Sequence, residues 1–257
     1  MTLTAFTHRS RWAALLAAVP LLAACGGDPG ARRDGAPPEL GRGTHLAITT
    51  DNGVRLRPAE DDRVVIEARV ESRWSHRDDT WVLDLSCAGH EETESDEQGD
   101  HEGQCTRMPA VGIPAGVPVT VTARNAGIDV AGVATALDLT TVNGDVTVAR
   151  SGLDEATVRM ATRNGSVRAG TLSSARLHAE TVNGDVALGS TTSPSLIDAV
   201  TTNGSVRVTL PSDAPEYTVG ATTRNGRTSV AFPSATERKG HAMTLATVNG
   251  DVTATRG

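Results

Sequence analysis

Leu177-His178-Ala179-Glu180-Thr181-Val182-Asn183-Gly184-Asp185-Val186-Ala187-Leu188 is one copy of a pattern that this 257-residue chain repeats six times. In these six copies Asn-Gly stands at Asn143-Gly144, Asn164-Gly165, Asn183-Gly184, Asn203-Gly204, Asn225-Gly226 and Asn249-Gly250, at intervals of 21, 19, 20, 22 and 24 residues. Two residues before each Asn is a threonine: Thr141, Thr162, Thr181, Thr201, Thr223 and Thr247. Six before it are Leu137, Val158, Leu177, Ile197, Val219 and Met243, and four before it Leu139, Met160, Ala179, Ala199, Ala221 and Leu245. Three after it are Val146, Val167, Val186, Val206, Thr228 and Val252. Fainter copies precede these. Val119, Val121, Asn125, Ile128 and Val130 keep the frame, and Leu46, Ile48, Thr50, Asn52 and Gly53 keep its first half, with Val54 and Leu56 one place early.

Alternation at period two on both sides of Asn-Gly means two short strands, each with one buried face. Asn and Gly tolerate positive φ, so the pair marks a tight change of direction. Two architectures fit. In a hairpin the Thr faces the Val three after Asn across a two-residue loop, which leads to an antiparallel β-sandwich or meander. In a solenoid the pair is a corner, and successive coils stack identical positions into ladders. A second punctuation at Ser151-Gly152, Gly170, Gly189-Ser190, Pro211 and Pro233 supplies the other corner of each coil. Near-constant Thr and Asn suit stacked ladders better than hairpins. The expected fold is therefore all-β: a β-solenoid, or β-helix-like repeat, of about 20 residues per coil. No capping segment follows Gly257, which leaves an end for side chains or partners to protect.

Composition narrows the function. Six residues are aromatic and the formal net charge is −7. Single-strand nucleic-acid binders need stacking rings and a positive groove, so nucleic acid is not an expected partner, and a small-molecule cofactor is not expected either. Catalytic motifs of the G-x-S-x-G or H-E-x-x-H type are absent, as is a phosphate-binding Gly-rich loop. Asp145, Asp185 and Asp251 share one repeat position, with Ser166, Ser205 and Arg227 in it elsewhere. Beside a turn, Asp commonly accepts backbone hydrogen bonds. Trp74 and Trp81 flank Ser75-His76-Arg77-Asp78-Asp79, either as an exposed recognition patch or as a cap on one end of the core.

The N-terminus reads as an address. His8, Arg9 and Arg11 precede the apolar run Trp12–Ala24, too short for a stable transmembrane helix, and Leu22-Ala23-Ala24-Cys25-Gly26 follows the pattern of a lipoprotein processing site. Residues 1–24 are then a signal peptide, and Cys25 is the lipidated first residue of the mature chain. Loss of Arg9 and Arg11 takes the net charge from −7 to −9. Residues 25–43, rich in Gly, Pro and charge, form a flexible lipid-anchored tether with a reach of about 20–25 Å. Residues 44–257 are the repeat domain.

Cys87 and Cys105 remain. An exported pair reads as a disulfide closing a 17-residue loop, worth about 3 kcal/mol on the chain-entropy estimate. Cys87, His90, His101 and Cys105 also have spacings compatible with a zinc site, as the less favoured reading. Seven acids lie between residues 91 and 102. They lack the ordered spacing of a calcium loop and read as a solvated segment, with loose cation binding as the alternative.

The processing site, the tether, the paired cysteines, the phrase Ile113-Pro114-Ala115-Gly116-Val117-Pro118-Val119 and the repeats ending in Thr247-Val248-Asn249-Gly250-Asp251-Val252 together resemble a bacterial family labelled as adhesins of unknown function. The resemblance covers residues 44–257. It implies a β-helix-like, non-enzymatic protein of the cell envelope, some relatives being encoded beside envelope-stress regulators, and it carries no catalytic residues. The expected function is a non-catalytic binding, adhesin-like or scaffolding module on the extracytoplasmic face of the membrane. It is held there by lipid and faces an envelope polymer or protein. The alternatives are an accessory of envelope-stress sensing and, less favoured, a carbohydrate-active β-helix enzyme.

Overall fold

Each alternating stretch becomes a short strand whose branched apolar side chains point to one face. The computed structural model describes residues 38–40, 43–68, 70–86, 108–232 and 240–257, and among them the regular structure is all β. The strands are β1 (His45–Thr49), β2 (Val54–Pro58), β3 (Val65–Ile66), β4 (Arg73–Arg77), β5 (Thr80–Asp84), β6 (Ala110–Ile113), β7 (Val119–Thr122) and β8 (Ile128–Ala131). There follow β9 (Leu137–Thr140), β10 (Val146–Ala149), β11 (Gly152–Ala161), β12 (Val167–Glu180), β13 (Val186–Ser190), β14 (Leu196–Val200) and β15 (Val206–Leu210). The last are β16 (Thr218–Asn225), β17 (Thr228–Val230), β18 (Ala242–Asn249) and β19 (Val252–Arg256).

They stack as a parallel β-solenoid. One face runs β5-β1-β7-β9-β11-β12-β14-β18-β16, the other β6-β2-β8-β10-β12-β13-β15-β19-β17. Among the described strands antiparallel pairing enters only at one end, through β4 on β5 and β3 on β6. The Asn-Gly pairs are corners and not hairpin loops. Gly144 N–H donates to Asn164 O at 2.9 Å and Asn164 N–H to Val142 O at 2.9 Å, so the corner's backbone groups bond to the next coil and not across their own. β12 passes the second corner without a break, bending where Thr171 takes φ 55°.

In-register stacking turns the sequence columns into ladders. On one face Leu46, Val119, Leu137, Val158, Leu177, Ile197 and Met243 follow one another, all buried, and on the other Val54, Ile128, Val146, Val167, Val186, Val206 and Val252. Val54 and Ile128 share a register although they stand two and three residues after their asparagines. The early frame of the first copy is thus absorbed by a corner one residue shorter.

Chain order and stacking order differ at both ends. The first coil, β1–β2, sits inside the coil made by β5 and β6, and the last, β18–β19, sits inside the coil made by β16 and β17. The expectation that the copy ending at Gly257 forms an end of the stack is corrected here: the terminal coil is β16–β17. Aromatic rings close the two ends. Trp74 is 2% exposed and packs edge-on against Trp81, 6.3 Å between centroids, over the ladder that Leu46 begins. At the other end the fully buried Tyr217 meets Phe232 edge-on at 6.0 Å and donates its hydroxyl to Pro194 O at 2.7 Å. Burial pushes its phenol up to about 12.

The glycines of the first corner are a packing requirement. A Cβ on Gly184, at φ +156°, would stand 2.0 Å from Gly165 O of the neighbouring coil. Gly184→Ala is therefore expected to lower unfolding stability by at least about 1–3 kcal/mol. Gly189→Ala, whose Cβ would meet nothing closer than 3.5 Å, should stay within about 0.5 kcal/mol of the parent. Urea unfolding of the two variants beside the parent checks this contrast.

Candidate binding ridge at the Asn-Gly corner

Three polar columns run along this edge, each made by one repeat position. The innermost is threonine. Thr162 Oγ1 donates to Gly144 O at 2.8 Å, Thr181 to Gly165 O at 2.7 Å, Thr201 to Gly184 O at 2.8 Å, Thr247 to Gly204 O at 2.8 Å and Thr223 to Gly250 O at 2.8 Å. Thr141 does the same for Ala126 O. The glycine carbonyl turns away from the strand ladder at the corner, and the hydroxyl of the adjoining coil supplies its partner.

The second column is a ladder of side-chain amides on the surface. Each Nδ2 donates to the Oδ1 of the preceding coil: Asn164 to Asn143, Asn183 to Asn164 and Asn203 to Asn183 at 2.9 Å, Asn249 to Asn203 at 2.8 Å and Asn225 to Asn249 at 2.7 Å. Asn143 reaches Asn125 more loosely, at 3.4 Å.

The third column stacks as Asp145, Ser166, Asp185, Ser205, Asp251 and Arg227. Asp145 Oδ1 accepts the Ser166 N–H, Asp185 Oδ1 the Ser205 N–H and Asp251 Oδ1 the Arg227 N–H, each at 2.8 Å, while Ser166 and Ser205 hydroxyls accept the next N–H at 3.2 Å. Carboxylates in adjacent coils would lie about 4.8 Å apart. Alternation with serine doubles that separation and limits like-charge repulsion. The Ser166 N–H holds the Asp145 carboxyl below its ordinary range against the opposing effect of partial burial, with help from the Arg168 guanidinium.

Between the Thr and Asn columns the outward positions are Arg124, Val142, Arg163, Val182, Thr202, Val248 and Arg224, of which Val142 and Val182 are 38% exposed. Beside the ridge, Arg159 lies 3.9 Å from Asp138 and 4.0 Å from Glu180, and His178 Nδ1 lies 3.1 Å from Asp198. Half-exposed pairs of this kind contribute about 0–1 kcal/mol each.

At one coil the described stems before and after residues 87–107 stand beside this corner. Leu85 N–H donates to Thr49 O at 2.8 Å and Arg55 N–H to Pro109 O at 2.9 Å, so the stems after β5 and before β6 flank the corner of Thr50–Val54. Arg73 and the Ser86 N–H both bond Asp84 and fix the outgoing stem. Burial raises the Asp84 carboxyl, but those bonds outweigh it and leave it lowered. Cys87, His90, His101, Cys105 and the acidic segment 91–102 lie outside the described residues, as do Cys25 and the whole of 1–37.

The twelve corner residues expected from the sequence come together as one edge. The three repeat aspartates stand along it in alternate coils, separated by Ser166 and Ser205, each with an oxygen committed to a backbone N–H. Trp74 and Trp81 serve the end of the core, with His76 stacked on Trp81 at 4.4 Å. Among the described residues no group of three or more His, Cys, Asp or Glu could hold a metal ion. The row around Arg159 was not anticipated. Its signal lay in the opposite charges that recur at one outward repeat position, Asp138, Arg159, His178 and Asp198.

Fold and edge define a parallel β-solenoid with an amide-laddered corner. The chain belongs to the Toastrack DUF4097 family, whose model matches residues 97–255. β1 and β2 pair with the matched strands β7, β6 and β8, so the solenoid reaches N-terminal of that match. No curated protein matches the chain. Among solved structures, a candidate cell adhesion protein from Clostridium sporogenes ATCC 15579 aligns over 89% of this chain and 99% of its own, at 11% identity and a TM-score of 0.40.

Two substitutions test the columns. Thr181→Val leaves the Gly165 carbonyl without its donor and should cost about 1–3 kcal/mol, whereas Thr181→Ser should recover most of that loss. Because the Asp145 carboxyl is lowered in the folded chain, its stabilising effect is present above the ordinary value of 3.8 and is lost as pH falls through the depressed one. Asp145→Asn should therefore flatten the loss of thermal stability below pH 3.8. An unchanged acid limb in calorimetry would contradict the role of this carboxylate.

Proposed function

We propose that the chain is an extracytoplasmic lipoprotein, anchored through Cys25, whose solenoid is a non-catalytic binding or scaffolding module for an envelope polymer or protein. The observation that carries this reading is the ridge itself. Its Thr, Asn and Asp/Ser side chains are bonded to neighbouring coils, so they present a long ordered surface and hold no group poised for proton transfer. A regular edge of this kind suits contact with an extended or repetitive partner. Arg124, Arg163 and Arg224 along it give that partner cations to meet.

The tether of residues 25–43 sets the solenoid off the bilayer. Cys87 and Cys105 form a disulfide, a reading supported by the two described stems, after β5 and before β6, that flank Thr50–Val54.

Metabolic labelling with a fatty-acid analogue should mark the parent and not Cys25→Ser. Intact mass should rise by two hydrogens on reduction, and an unchanged mass would remove the disulfide. Soluble 44–257 fragment should be retained by isolated cell-wall material or envelope membranes. Reproducible failure to bind either would overturn the binding reading.

A further inference from the structure

Asn-Gly carries its own reactivity. The glycine backbone nitrogen gives up its proton and attacks the asparagine Cγ. The new C–N bond forms as the carboxamide C–N bond breaks, ammonia leaves, and water opens the resulting succinimide to aspartate or isoaspartate. This path needs a glycine N–H without an acceptor, a side-chain amide that can turn, and backbone free to rotate.

Five corners withhold all three. Gly144, Gly165, Gly184, Gly204 and Gly250 donate their N–H to Asn164, Asn183, Asn203, Asn249 and Asn225 backbone oxygens at 2.9–3.0 Å. Asn143, Asn164, Asn183, Asn203 and Asn249 each use both ends of the side-chain amide in the ladder. Stacking on both sides holds their φ and ψ.

The sixth corner lies on the terminal coil. Among the described residues no coil stands beyond β16–β17, so the Gly226 N–H has no acceptor and Asn225 Oδ1 accepts no hydrogen bond. This corner is held from one side alone, through Asn225 Nδ2 on Asn249 Oδ1 at 2.7 Å, the Gly250 N–H on Asn225 O at 3.0 Å and the Arg227 N–H on Asp251 Oδ1 at 2.8 Å, and residues 224–231 are all exposed. End coils also open more readily than interior ones.

We propose that Asn225-Gly226 is a modification site, where the folded chain deamidates through the succinimide while the five stacked corners do not. The conversion weakens the contacts of that coil with the next. A carboxylate at 225 loses the donor to Asn249 Oδ1 and faces that oxygen directly. Isoaspartate adds a methylene to the backbone at the corner, displacing the Asn225 oxygen from the Gly250 N–H and Thr223 from the Gly250 oxygen.

The test uses the full chain, folded, held in mildly alkaline buffer and sampled over time, with the Asn-Gly peptides of the six full repeat copies quantified by mass spectrometry. Acid and isoaspartate should accumulate at Asn225 at least about tenfold faster than at Asn143, Asn164, Asn183, Asn203 and Asn249, a difference of about 1.4 kcal/mol in barrier. In denaturant the six rates should converge. Equal rates in the folded chain, or a faster interior corner, would overturn the proposal. Asn225→Gln should remove the signal at this site and leave the interior rates unchanged. Either result is independent of whether the ridge binds an envelope partner.

Discussion

A parallel stack of coils must satisfy the backbone groups that each corner turns out of its strand ladder, and here the Thr-to-Gly hydrogen bond between coils does this. The glycine carbonyl faces a threonine hydroxyl of the neighbouring coil at 2.7–2.8 Å, repeated along the edge. An unpaired buried carbonyl costs about 1–3 kcal/mol, so a run of them would remove the stability of an ordinary domain. The bond also fixes the register. It requires the next coil's Thr to stand over the Gly, which forces the apolar positions on both strands into common ladders. The glycine is needed because its Cα hydrogen faces the neighbouring oxygen, where a methyl group has no room.

From that corner the other features follow. Amides stack outside the threonines because parallel in-register coils bring identical residues about 4.8 Å apart, the spacing at which one amide donates to the next. Carboxylates cannot stack that way, and they alternate with serine. Rings do not fit thin ladders of Val, Leu and Ala, so the four aromatic residues after position 25, Trp74, Trp81, Tyr217 and Phe232, close the two ends of the core. The interleaved ends place β1 and β18–β19 between neighbours on both sides, so that neither is an open sheet edge. The longer connections that this threading needs cost little, because loop-closure entropy rises slowly with length.

Much of this was legible in the sequence. Strand faces, the Asn-Gly corners and the coil length follow from columns that recur in every copy, and near-constant Thr and Asn favoured a ladder over a hairpin. Their reason is now specific: the threonine serves a carbonyl one coil away, a contact that no local rule contains. The interleaving was not read, because intervals of 22 and 24 residues say nothing about which side of the stack a copy joins. One trace of it was present. In chain order the third column runs Asp, Ser, Asp, Ser, Arg, Asp, and placing Asp251 directly after Ser205 restores the alternation. The Trp pair left two readings open for a different reason, since a strand that caps a core and one that binds a ligand have the same composition.

The interleaved parallel stack is tested most directly by paired cysteines on the outer face of β15, β17 and β19, in a chain whose own three cysteines are replaced by serine. Arg207 and Thr253 are register partners in adjacent strands, whereas Ser229 lies one strand further on. Adjacent strands place the Cα atoms about 4.8 Å apart, within disulfide reach, and two strands of separation exceed it. Arg207→Cys with Thr253→Cys should therefore cross-link on mild oxidation, and Arg207→Cys with Ser229→Cys should not. Efficient cross-linking of 207 to 229 and none to 253 would show coils stacked in chain order and would contradict the account.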